Sequence, residues 1–141
     1  MPVPIDLARE TAELLLIHAQ DRQAHFGLDV DLILAHQGEP FVTVGNGRVD
    51  AASRAEVAAH FARYFAGADY AEWDDLEPPR IQISDDATLA WMIVRNRVRR
   101  SQSQPDGTVT VRQFVYAGLM GYAKRAGRWY RIANVSTFEP D

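Results

Sequence analysis

The segment SRAEVAAHFARYFAGADYAEW, residues 53–73, holds the point where helix chemistry gives way to strand chemistry. Ser53 and Glu56 have the spacing of a capping box, in which the hydroxyl accepts from the amide three residues on and the carboxylate reaches back. Val57, Phe61, Tyr64 and Phe65 follow at i, i+4, i+7 and i+8, on one face of a helix that stops near Gly67. After Asp69 the pattern becomes that of strands. The breaks are Asp85-Asp86, Gln104-Pro105-Asp106-Gly107 and Lys124-Arg125-Ala126-Gly127. They leave strands at about 70–84, 87–102, 109–123 and 129–138. Pro78-Pro79 bends the first of these, because proline cannot donate to a ladder.

Working towards the N-terminus, Phe41–Val44 alternates as a strand and ends at the turn dipeptide Asn46-Gly47. Asp29 caps a short helix running to about His36, whose imidazole would serve as a C-terminal cation. Asp6 caps a first helix that runs to about His25. Three helices followed by a long antiparallel meander define an α+β domain, its helices on one face of a curved sheet. No repeat or linker divides the chain, so residues 1–141 read as a single domain. A chain of this length buries roughly 68% of its unfolded surface and needs no staple.

There is no cysteine, which removes disulfide scaffolds, thiolate nucleophiles and cysteine metal sites together. The longest aliphatic run, Leu14 to Ile17, is far too short for a bilayer, and no signal peptide is visible; a cytoplasmic protein with no membrane partner is expected. Net charge is −4, unevenly spread: residues 1–86 carry 16 acids and 6 bases, residues 87–141 carry 3 acids and 9 bases. Arg95, Arg97, Arg99 and Arg100 could form a nucleic-acid stripe, but alternation on a strand also suits cross-strand pairing with acids. With an acidic total, no nucleic-acid partner is expected.

The order of elements resembles the nuclear transport factor 2-like superfamily, which includes ketosteroid isomerases, polyketide cyclases and limonene epoxide hydrolases. The likeness is carried by Ala24 to Leu34 (AHFGLDVDLIL), Phe41 to Gly47 (FVTVGNG), the capping box before His60-Phe61-Ala62-Arg63-Tyr64-Phe65, and Lys124 to Trp129 (KRAGRW). It implies a cone-shaped half-barrel with a pocket between helices and sheet, and frequent dimerisation. The isomerases place a carboxylate base in the strand after the second helix, where Phe41–Val44 has no acid. The epoxide hydrolases use Arg-x-Asp, and the nearest match, Arg95-Asn96-Arg97, lacks the acid.

The first helix is the most informative about a site. Leu7, Thr11, Leu14 and Leu15 form an apolar stripe that continues as His18, Asp21, Arg22 and His25. A helix does this when its end leaves the packed core and lines a cavity. Three readings of these side chains stay open. His18, His25 or, from the inward stripe of the third helix, His60 could be a general acid/base with Asp21 as orienter. His18, Asp21 and His25 could hold a metal, although they spread over two turns, ~10 Å. Or they could be structural, His25 facing the negative end of the helix dipole and Asp21 pairing with Arg22 or a basic strand.

Strand faces follow from register, taken by pairing residue 84 with 87, 102 with 109 and 123 with 129. One face then collects aliphatic residues with Trp73, Asp75, Asn96, Gln113 and Arg131 as polar or bulky exceptions. His18, Asp21 and His25 are the candidate catalytic residues. Tyr64, His60, Trp73, Met92, Asn96, Gln113 and Ala117 are the candidate ligand-binding residues. No metal and no cofactor is expected. The expected function is binding of a small, largely apolar organic molecule, with isomerase- or cyclase-type imidazole chemistry, or else a non-catalytic dimeric binding or association module. The other sheet face would hold Trp91, Ile93, Phe114, Tyr116, Met120, Tyr122, Tyr130, Ile132 and Phe138. That is apolar enough to predict a homodimer packed back to back.

Overall fold

In the computed structural model, residues 4–140 are described. The elements run α1 (Leu7–Gly27), α2 (Val30–Leu34), β1 (Gln37–Gly45), β2 (Arg48–Ala52), α3 (Arg54–Phe65), β3 (Ala68–Asp75), β4 (Arg80–Ile83), β5 (Leu89–Ser103), β6 (Val109–Arg125) and β7 (Arg128–Pro140). Asp6, Asp29 and Ser53 cap the three helices, and Ser53 with Glu56 completes both halves of the capping box. The sheet order is β2-β1-β7-β6-β5-β3, with β4 also paired to β5. The helices pack on one face of this curved sheet, an α+β architecture.

Several local expectations change. The stretch around residues 70–84 is two strands, because Pro78-Pro79 removes ladder donors between Asp75 and Arg80. The sheet is mixed: β1 pairs parallel to β7, and β2, formed by the hairpin at Asn46-Gly47, supplies the edge. His36 lies beyond the end of α2, its Nδ1 3.4 Å from the Trp129 carbonyl. The buried stripe of α1 is rotated from the expected one. Leu14, Ile17, Ala24 and His25 are buried, while Leu7 and Leu15 are 54% and 39% exposed.

Register decides the faces, and here loop length matters. The β4–β5 loop is longer than a two-residue turn, with Ile83 opposite Ala90. It shifts pairing by two residues and keeps the predicted face. The β5–β6 loop is Pro105-Asp106-Gly107, closed by the Gln104 amide on the Thr108 carbonyl at 2.8 Å, with Gly107 at φ 87°. An odd, three-residue loop with glycine at its end slips the pairing by one and turns every β6 side chain over. Phe114, Tyr116, Met120 and Tyr122 therefore face the helices; Gln113, Ala117 and Leu119 face away. The β6–β7 turn, Ala126-Gly127, has two residues with φ 51° and 75°. A second shift between Gly121 and Tyr122 then changes faces along β7. Trp129 and Arg131 point inward before it, Asn134, Ser136 and Phe138 after it. Glycine inside a strand tolerates such a bulge, and the shift sits at Gly121.

The core falls into two clusters. Leu14, Ile17, Met92, Val94, Met120, Tyr122 and Trp129 pack at one end. Ala24, Ile33, Phe65, Tyr70, Val98 and Phe114 pack at the other. Glu10 seals the first end: Trp129 Nε1 donates to its Oε2 at 2.6 Å and Lys124 Nζ bonds Oε1. Burial alone would raise its pKa, but these donors outweigh burial and hold the carboxyl below its ordinary value. No helix among the described residues is long and apolar enough to cross a membrane.

Candidate functional site

Between the two core clusters lies a cavity of about 200 Å³. The last turns of α1 form one wall, α3 a second, and β5, β6 and β7 the floor. Tyr116 touches both clusters and spans the floor.

His18 stands in this wall. Its Nε2 donates to both oxygens of Asp75, at 2.9 and 3.0 Å. Asn96, 1% exposed, donates Nδ2–H to Asp75 Oδ1 at 2.6 Å. The carboxylate is thus oriented from below and the imidazole from behind. A ring that donates through Nε2 keeps its lone pair on Nδ1 in the neutral form.

Asp21 does not orient His18. Its carboxylate pairs with the buried guanidinium of Arg131, whose Nη2 also reaches the Tyr122 hydroxyl at 3.4 Å. His25 donates Nδ1–H to the Asp21 carbonyl at 2.6 Å and stacks on Trp73 with ring centroids 3.8 Å apart. Phe61, Phe65 and Tyr70 meet it edge-on. Burial in this aromatic cage pushes its pKa down and keeps it neutral, the Asp21 contacts opposing only in part. His60 sits at the mouth with Tyr64, its pKa lowered by partial burial and by Arg63.

The structure brings His18, Asp21, His25, His60, Tyr64, Trp73 and Asn96 to one cavity. It separates three others. Met92 is fully buried in the core cluster beneath, and Gln113 and Ala117 lie on the opposite face of the sheet because of the β6 slip. Their places are taken by Tyr116, Asn134, Ser136 and Phe138. Tyr116 donates to Asn134 Oδ1 at 2.9 Å and lies 3.4 Å from Ser136 Oγ. The signal that could have found them was the odd loop length before β6. Asp75 and Arg131 were visible as polar exceptions on the inward face, but not their partners. Among the described residues no three histidine or carboxylate side chains are grouped to hold a metal ion.

A curved sheet with helices closing over one face defines a class of small α+β domains. Solved structures share it. A ketosteroid isomerase-like protein from Erwinia carotovora atroseptica is 18% identical, with a TM-score of 0.70 over 94% of this chain and 98% of that one. An NTF2-like protein with a cystatin-like fold from Novosphingobium aromaticivorans is 16% identical, with a TM-score of 0.65 over 92% and 82%. A cystatin-like-fold protein of unknown function from Nostoc punctiforme is 15% identical, with a TM-score of 0.70 over 99% and 97%. The chain therefore has the nuclear transport factor 2-like fold. No family model matches the sequence, and no curated protein matches it.

Proposed function

We infer that the cavity receives a small, largely apolar organic molecule and that His18 exchanges a proton with it, in isomerase- or cyclase-type chemistry without a cofactor. The observation that carries this reading is the chain Asn96–Asp75–His18 at the wall of the cavity. A carboxylate held by a buried amide fixes the ring and supports the positive charge it acquires on taking a proton. Nδ1 is then the working nitrogen. The Asn134 amide, which spends one N–H on Ser136 Oγ at 3.1 Å, offers its second to a ligand carbonyl, while Val94, Val98 and Phe114 supply apolar surface. His25, buried and neutral, is a wall of this site rather than its base.

A second reading, a non-catalytic dimeric association module, is favoured by the back of the sheet. Trp91 and Val135 are each 38% exposed there and Val111 is 58% exposed. Half-buried Ile93, Val115, Ala117 and Leu119 connect them.

The test uses cyclic and aryl ketones as probes, with binding followed by ligand-observed NMR and proton transfer by loss of α-proton signals in D2O. Wild type should bind and exchange; His18→Gln should bind without exchanging. Binding with no exchange by wild type supports the association reading and removes the acid/base role. No binding by any ketone defeats the cavity reading.

A further inference from the structure

Outside the cavity, β5 and β6 present an unusual pair. Arg100 and Arg112 are direct cross-strand partners, and both line one open groove of about 480 Å³ at the end of the sheet. Like charges set opposite each other on one face are unfavourable. Arg63, from the last turn of α3, adds a third cation to the same groove. No carboxylate lines it among the described residues; the other lining groups are His60, Tyr64, Gln102, Gln104 and Thr110.

Arg100 is the centre of this arrangement. It is 4% exposed. Its Nη2 donates to the Tyr64 carbonyl at 2.8 Å and contacts Gln102 Oε1. The guanidinium lies 3.9 Å over the Tyr64 ring. Its Nε is buried with no acceptor. All its partners among the described residues are neutral, so no counter-charge meets the buried guanidinium there. A buried cation without a counter-charge is unfavourable, and the arginine fork matches the two oxygens of a carboxylate or phosphate.

We propose that this groove is an oxyanion subsite, taking a carboxylate or phosphate on Arg100, Arg112 and Arg63. His60 and Tyr64 line both the groove and the cavity. A ligand can therefore lay its apolar body in the cavity and its anionic end in the groove. That linkage rests on the cavity reading; the anion site itself does not.

The experiment separates the two. The wild-type protein is titrated with potassium phosphate and, separately, with sodium acetate, each against sodium chloride at equal ionic strength. Backbone and arginine Nε–Hε resonances are followed by ¹H–¹⁵N NMR. Saturable shifts at Arg100, Tyr64 and Gln102 are expected with at least one oxyanion and not with chloride, and the anion that saturates first identifies the chemistry. Arg112→Gln, on an exposed side chain, should weaken binding about tenfold. No saturable shift with either ion, equal shifts with chloride, or unchanged affinity in Arg112→Gln overturns the anion site. For the linkage, octanoate should bind more tightly than octan-1-ol, with the difference lost in Arg112→Gln. Equal affinities would overturn the shared-ligand part. Failure of octan-1-ol alone, with phosphate or acetate shifts intact, would instead count against the cavity reading.

Discussion

Replacing Gly118 by alanine tests the geometry of the cavity floor. A Cβ built on Gly118 stands 2.1 Å from the Tyr116 hydroxyl oxygen and 2.5 Å from its Cζ. The phenol lies across the bare α-carbon two residues on, and that is how it comes to point along the floor. A methyl group there must push the ring off its rotamer and break its 2.9 Å bond to Asn134. Overpacking of this kind costs about 2 kcal/mol, of which the hydrogen bond is about 1. Against this, alanine in a strand interior gains about 0.7 kcal/mol over glycine. The single variant should thus lose about 1 kcal/mol. With Tyr116→Ala already in place the ring is gone, and Gly118→Ala should stabilise slightly. The coupling in the double-mutant cycle is then about 2 kcal/mol, measured by urea unfolding of the four proteins at 25 °C. Additive effects, with coupling under about 0.5 kcal/mol, would refute the placement of Tyr116 and with it the floor of the site.

His25 gives a pH dependence. Its folded pKa lies below the ordinary histidine value of about 6.5, so the unfolded chain binds the extra proton first. The stabilisation is present above about pH 6.5 and is lost as pH falls through the folded pKa; the thermal midpoint should drop over that range, and His25→Phe should flatten the drop. Asp21→Asn leaves the Arg131 guanidinium buried without its counter-charge and should cost about 3–5 kcal/mol by thermal denaturation, with Asp21→Leu/Arg131→Met recovering much of the loss. A homodimer through the back of the sheet, at micromolar concentration, should become monomeric or insoluble on Leu119→Arg; a wild-type mass of one chain by light scattering removes the dimer.

The helices were legible because their signals are local. Asp6, Asp29 and Ser53 each cap through an atom within three residues, and no distant contact has to agree. The polar end of α1 was legible for the same reason, since helical spacing alone places His18, Asp21 and His25 on neighbouring turns. The apolar half of that helix was misjudged because Leu7 and Leu15 face solvent; the sheet covers the side bearing Leu14 and Ile17, which spacing does not reveal.

Sequence by itself determined the α+β order, the capped helices, the turn positions and the inward face of β5, because each depends on residues close together in the chain. Only the tertiary structure decided which face of β6 looks into the cavity, and that His18 meets Asp75 and Asp21 meets Arg131. A strand alternates with period two, so one residue more in the Pro105-Asp106-Gly107 loop exchanged Ala117 and Gln113 for Tyr116 and Phe114. His18 lies 57 residues from Asp75, and Asp21 lies 110 from Arg131. Such pairs exist only once the sheet has curled under the helix and the excluded water makes an unpaired charge costly.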